Sequence, residues 1–380
     1  MAGFTSQDDL INQITTNGKF YRSDWNKLTH AVGTQTAGLW YALPHATGNP
    51  AAMTLGAVGT NLAFHIAYDR TQGAIPHGGY VSPDTKHILN ASAFSAAATT
   101  MPAIFMLVDM LGWYPITTTT TTGNQALINS RTFTATAATP TVLTLAAGWD
   151  MQTGTPIRLT TTTTLPAGLS LATTYYWNRV SATTGNLATS YTNLAAATYV
   201  AASDTGTGTH TATLYLGDRA PSHGSGVQAY LTPSVALGAG TPNIQITYTD
   251  QDGNTGQTTP TVLPISNATA PIGNIEYSGV AAGKYGPFIP LAAGDGGIRL
   301  AEQFNYNVTH TSGTTNLVLC RPLLTLPMTT IGVAAERDLL NQLPSLPRVY
   351  DGACLAWLML AGAATPVASP LSGHLEFGWS

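Results

Sequence analysis

The sequence predicts a mainly β fold with a few short helices: a β-sandwich or jelly-roll-like body interrupted by an inserted Ig-like β module. Three observations predict it. Short runs of β-branched and aromatic residues recur along the chain, several in apolar–polar alternation. Turn chemistry separates them, in a chain with 38 Gly and 23 Pro. No helical pattern clearly exceeds about 20 residues.

Taken in order, residues 1–50 read as an N-terminal helix and an aromatic arm. Ser6 caps the helix, with Asp9 at the capping-box position and Leu10, Ile11 and Ile14 on one face. Large rings follow in a Gly-, Thr- and Pro-rich context: Phe20, Tyr21, Trp25, Trp40 and Tyr41. With Phe377 and Trp379 near the other end of the sequence, they form a candidate interface, because aromatics supply much of the contact energy between subunits. The alternative is that these rings pack on their own domain.

The body is expected in two pieces, 51–135 and 217–380. Thr54 to Tyr68 reads as strand, with Leu62, Phe64 and Ile66 alternating against Ala63, His65 and Ala67. Two helices are predicted next. Ser82, Pro83 and Asp84 have helix-start chemistry, with Ile88, Leu89 and Phe94 continuing the run. Pro102 opens a second helix through Ile104, Phe105, Leu107, Val108 and Leu111.

Residues 136–216 read as the inserted module, a small antiparallel sandwich. Strands are predicted at Pro156 to Thr160, Thr173 to Val180 and Thr211 to Leu216, with turns at Pro166 to Gly168, Thr184 to Asn186 and Asp204 to Gly206. The threonines from Thr160 to Thr164 suit a polar strand exposed on one face. Gly217 to Gly226 forms the exit from the module.

Beyond it, Asn243 to Thr249 alternates cleanly, Asp250 to Asn254 turns, and Thr258 to Ile265 returns as an edge partner carrying Pro260 and Pro264. Strands are predicted at Phe288 to Leu291, Gly297 to Leu300, Gln303 to Val308, Asn316 to Cys320, Cys354 to Leu360 and His374 to Trp379. One amphipathic helix is predicted at Ala334 to Leu343.

Charge sets the functional limits. Only 8% of the residues are charged, about a third of the usual 25%. A folded chain of 39.6 kDa exposes roughly 14,000 Å², which leaves one charged side chain per about 450 Å². Such a surface is coated with Thr, Ser, Asn and Gln, or covered by neighbouring subunits. The 14 basic residues form no run, so direct nucleic-acid binding is not expected. The N-terminus lacks the basic and apolar regions of a secretory signal, and no apolar stretch reaches the length of a membrane span. Synthesis and assembly in the cytoplasm are therefore expected, with no membrane partner.

No catalytic motif stands out, and neither an enzyme nor a cofactor is expected. Asp250, Asp252 and Asn254 open like a calcium loop, but Thr255 replaces its glycine and Thr261 its bidentate acid. His223-Gly-Ser225-Gly does not have the G-x-S-x-G form of a nucleophile elbow. The nine histidines show no metal-binding spacing on a predicted helix. Cys320 and Cys354 lie in apolar surroundings and read as buried free thiols.

The segment from Thr153 to Leu214 resembles a module that recurs in structural proteins of tailed bacteriophages. The stretch from Phe288 to Arg299, FIPLAAGDGGIR, is similar to a phrase in phage head and tail surface proteins. The resemblance covers about half the chain and brings no catalytic residues. It implies a virion structural protein, foremost a capsid decoration or cement protein on the head surface. The implied partners are the major capsid protein and copies of itself, a trimer among the options. A tail-tube, baseplate or fibre subunit is the alternative within that class. Outside it stands a glycan-binding or depolymerase surface protein.

Overall fold

Pairing between the first and last strands organises the body. In the computed structural model, which describes residues 3–29, 35–53, 62–95, 97, 102–118, 122–220, 224–260, 263–265, 269–277, 286–338, 346–364 and 368–380, strand Phe20–Leu28 lies antiparallel to strand Pro370–Trp379 along its whole length. These two form the middle of a terminal sheet that also holds Lys86–Phe94, Ala335–Asp338, Arg348–Val349 and Gly48–Asn49.

A central sheet packs against one face of the terminal sheet. Its spine is a pair of long antiparallel strands, Ala103–Ile116 and Thr314–Met328, flanked by Gln228–Val235, Leu355–Ala361, Trp40–Ala42 and His65–Ile66. Trp25, Ile88, Leu375 and Phe377 from one sheet interdigitate with Phe105, Leu107, Leu326 and Trp357 from the other. This is a two-layer sandwich, the expected class. Irregular segments carrying Met53, Ala74, Ile275 and Phe288 cover the opposite face of the central sheet. Its strands are therefore buried on both sides.

The far ends of the two long strands enter a second core, shared with a small sheet of Asn243–Asp250, Ile298–Tyr306, Gly123–Ala126 and two short edge pieces, Gln257–Thr258 and Leu263–Pro264. The inserted region is a closed barrel: Pro156–Thr161, Tyr175–Arg179, Thr184–Ala188, Leu143–Leu145, Ser130–Ala135 and His210–Leu214 pair in a ring. Closure leaves no free edge strand. Its filling, including Phe133, Leu159, Trp177 and Leu187, is continuous with the second core of the body. Trp149, fully buried, donates its indole N–H to the Phe64 carbonyl at 3.4 Å and bridges the two parts.

Several expectations change. The module is a closed barrel, not an open Ig-like sandwich, and strand Ser130–Ala135, placed before the module by composition, completes the ring. The two predicted helices after Ser82 are strands Lys86–Phe94 and Ala103–Ile116. The described part of the predicted helix at Ala334 to Leu343 is strand Ala335–Asp338, the remainder lying outside the described residues. For Ala103–Ile116 the physical reason is burial on both faces, since a continuous apolar run has no period to separate strand from helix. Lys86–Phe94 and Ala335–Asp338 are drawn into the terminal sheet by pairing with each other and with distant strands, which overrides the local pattern. The strand predicted from Thr54 survives as His65–Ile66, and residues 54–61 lie outside the described set. Thr184 to Asn186 is strand, the reversal falling at Ser181 to Thr183. Phe288 to Leu291 is irregular, and the next two predicted strands merge into Ile298–Tyr306.

The N-terminal helix is as expected. Gln7–Thr15 is capped by Ser6, whose hydroxyl accepts from the Asp9 amide at 3.0 Å. A second helix, Tyr191–Ala195, is capped by Ser190 in the same way and was not predicted. Cys320 and Cys354 are buried free thiols. Cys320, on strand Thr314–Met328, and Cys354, just before strand Leu355–Ala361, lie either side of Met110, two interstrand spacings or about 9–10 Å apart. A disulfide needs Cα atoms within roughly 7 Å.

Candidate functional site: the barrel–body junction

The chain leaves the barrel after Leu214 and turns into the body, which carries Asp218 and Arg219 into the seam between them. Arg219 is 3% exposed and Asp109, midway along strand Ala103–Ile116, is 0% exposed. The Arg219 guanidinium donates to the Asp109 carboxylate, to the Ala67 carbonyl, and to the Met110 carbonyl at 2.7 Å. Asp109 also accepts the Cys354 amide at 2.9 Å. Burial works against the charge on Arg219, but the adjacent Asp109 outweighs it and holds the pKa above its ordinary value.

Tyrosines surround this pair. Tyr191, which opens the short barrel helix, lies between barrel Tyr176, with ring centroids 4.3 Å apart, and body Tyr68 and Tyr80, at 6.1 and 5.9 Å. The Tyr176 hydroxyl donates to Asp218 at 2.8 Å and the Tyr80 hydroxyl to Asp69 at 3.0 Å. Burial, reinforced for both by a neighbouring carboxylate, raises the pKa of Tyr176 and Tyr80. Burial also raises the pKa of Asp69. Neutral phenols that donate to carboxylates satisfy the tyrosine hydroxyls.

Beside the tyrosines a cavity of about 180 Å³ opens between barrel and body. Asp218 and Thr192 line its barrel side; Ser82, Lys86, Arg348 and Asp351 line its body side. Asp351 accepts the Val81 and Ser82 amides at 3.0 and 3.1 Å. Lys86 is 1% exposed; its amine meets the Gly79 carbonyl and His77 Nδ1, the latter at 2.9 Å. Burial lowers the Lys86 pKa to about 8 and, with the Lys86 charge nearby, that of His77 to about 3. A second concavity of about 740 Å³ runs along the outside of the barrel, lined by Phe133, Leu145, His210 and a set of threonines.

The seven aromatics singled out in the sequence do not form this site. Trp25, Trp40, Tyr41 and Phe377 are buried within the chain's own cores. Trp25 packs on Trp357 and Phe105, with centroids 5.6 and 6.3 Å away. Tyr21 is half-buried and stacks on Phe377 at 6.4 Å, and Trp379 lies 5.6 Å from the Lys86 amine. Phe20 keeps an exposed ring. Asp250, the would-be calcium ligand, spends its carboxylate on its own turn, accepting the amides of Asp252 and Asn254 at 2.9 Å. No group of three or more His, Cys, Asp or Glu suited to a metal ion occurs among the described residues.

Sequence reasoning passed over Asp218 and Arg219 as part of a linker. A signal was present: two adjacent opposite charges stand out in a chain so poor in charge, and such groups are buried only when paired. No protein-family model matches the chain, and no curated protein matches it.

Proposed function

We propose that the chain is a structural subunit of a tailed-bacteriophage virion, a capsid decoration or cement protein that binds the major capsid protein and copies of itself. The observation that supports this best is the Arg219–Asp109 clamp. It holds the barrel, the part that resembles a recurrent phage module, as a fixed projection of the body.

A reinforcing subunit needs stiffness and many modest contacts repeated by symmetry. Sparse charge and exposed threonines let identical copies approach closely with little repulsion. Exposed Leu171 and Val180 on the barrel, and Ile331 and Val333 beyond strand Thr314–Met328, supply apolar contact points. On this reading the protein assembles in the host cytoplasm and resides on the head surface, without touching nucleic acid or membrane.

The test is a cryo-electron reconstruction of virions in which this chain's mass is located, paired with adding the protein to heads that lack it. Icosahedrally ordered density over the head and a raised rupture temperature are expected. Density confined to the tail would make the chain a tail subunit, and absence from the particle would end the virion reading.

A further inference from the structure

The junction cavity has the makings of a binding site for a neutral sugar. Its volume of about 180 Å³ lies below the roughly 300 Å³ at which sites for drug-sized ligands begin, so it suits one small ring. Its polar groups are mixed in kind. Asp218 and Asp351 each carry about four acceptor positions, and two on Asp351 are taken by the Val81 and Ser82 amides. Among the described residues, the Tyr176 hydroxyl, at 2.8 Å, and a long contact from Thr174, at 3.5 Å, use that capacity on Asp218. Donors face them. Arg348 lays its guanidinium 4.4 Å from the Tyr350 ring centroid, no side chain or carbonyl among the described residues takes up its N–H fork, and Ser82 and Thr192 line the same space.

This pattern discriminates between ligand classes. A carboxylate or phosphate would face Asp218 and Asp351, Asp84 being paired with Lys19 at 2.7 Å, with Arg348 as the main counter-charge, because the Lys86 amine is already engaged by His77 and Gly79. An amine would be drawn to Asp218 and Asp351 but, donating only, would leave the Arg348 donors unmatched. Vicinal hydroxyls, which both donate and accept, meet carboxylate acceptors and guanidinium donors equally well. We propose that the barrel–body junction binds a neutral hexose in pyranose form through Asp218, Asp351 and Arg348. Because residues of both parts line the cavity, the insertion of the barrel creates the site. The inference stands on the cavity alone and is independent of the place of the chain in a virion.

The experiment is ligand-observed NMR and calorimetric titration of the full chain with the methyl glycosides of glucose, galactose and mannose. Glucuronate and glucosamine serve as charged counterparts. At least one neutral glycoside should bind, with both charged sugars weaker by tenfold or more. Asp218→Asn and Arg348→Gln should each weaken binding at least tenfold. Arg348 is exposed, so R348Q keeps the test decisive should D218N fail to fold. Oligosaccharides ending in the bound hexose separate the two sources: tighter binding than the monosaccharide assigns the pocket to a glycan chain, and equal binding to a single sugar unit. No binding by any neutral hexose, stronger binding of glucuronate or of glucosamine, or full affinity in folded R348Q would overturn the proposal.

Discussion

Arg219, just past the last barrel strand, is ion-paired with Asp109 in the middle of the central sheet, and neither side chain is more than 4% exposed. The contact joins segments more than a hundred residues apart. It converts what composition reads as a loose exit from the module into a deeply buried point of attachment between barrel and body.

Removing one partner should be costly, because it leaves the other charge buried and uncompensated. Arg219→Met is expected to destabilise the protein by about 3–5 kcal/mol, and replacing Asp109 by Leu in the same chain should recover much of that loss. Urea unfolding of the single and double variants measures both. A single variant within 1 kcal/mol of the parent, roughly the worth of an exposed pair, would show that the clamp contributes little.

Glu276 gives stability a distinctive pH dependence. It is fully buried, accepts hydrogen bonds from Thr315 and from Tyr306, the latter at 3.1 Å, and burial pushes its pKa up to about 7. A carboxyl whose folded pKa is raised favours the fold in its protonated form. Its contribution is complete below about pH 4.5 and lost as pH rises through 7. The loss should be about 3 kcal/mol, from roughly 1.4 kcal/mol per pKa unit. His65 and His77, lowered by burial to about 4 and 3, act oppositely, their contributions being lost as pH falls below about 6.5. The difference between the parent and Glu276→Gln isolates the carboxyl. Measured by urea unfolding at pH 5 and pH 8, it should move in favour of the variant at the higher pH.

Cys320 and Cys354 should be silent to thiol reagents in the native protein. Both are fully buried, and burial raises their pKa, which suppresses the reactive thiolate. A chromogenic disulfide at pH 8 should find no thiol on the folded chain and two in denaturant. Fast native labelling of either would place it outside the core.

Gly112 marks a crossing that no side chain can occupy. It pairs with Ile66, and a Cβ there would stand 2.2 Å from the Phe64 ring and 2.3 Å from the His65 carbonyl. Gly112→Ala must push strand His65–Ile66 away and should cost about 1–3 kcal/mol, read as a lower midpoint in urea. Gly256, with nothing within 4 Å but a φ of +73°, provides the contrast. There alanine meets only backbone strain, expected at roughly 1–2 kcal/mol.

What the sequence disclosed follows from which signals are local. The Ser6 cap, the alternating strand Asn243–Asp250 and its Asp250 turn need only neighbouring residues, and all three are present as expected. Strand Ala103–Ile116 was hidden because burial on both faces leaves it almost continuously apolar, with no period to read, and Lys86–Phe94 because Ile88, Leu89 and Phe94 fit a helical face as well as a strand. The rings at Trp25 and Trp40 carried no sign of their partners, since Trp357 and the C-terminal strand lie hundreds of residues away. The junction cavity was illegible for the same reason: Asp218 and Asp351 meet across it only after barrel and body have closed.

The antiparallel match of Phe20–Leu28 with Pro370–Trp379 imposes an order of events on the growing chain. The first strand emerges with one of its permanent neighbours not yet made, and at about 5–20 residues per second it waits on the order of tens of seconds for the last. Over that interval the inward face of Trp25 and the edge of its strand are open to any other nascent copy nearby. The finished sheet therefore acts as a seal closed only once strand Pro370–Trp379 has been made. Crowded expression of this chain should favour strand exchange between copies at that seam above any other place in the fold.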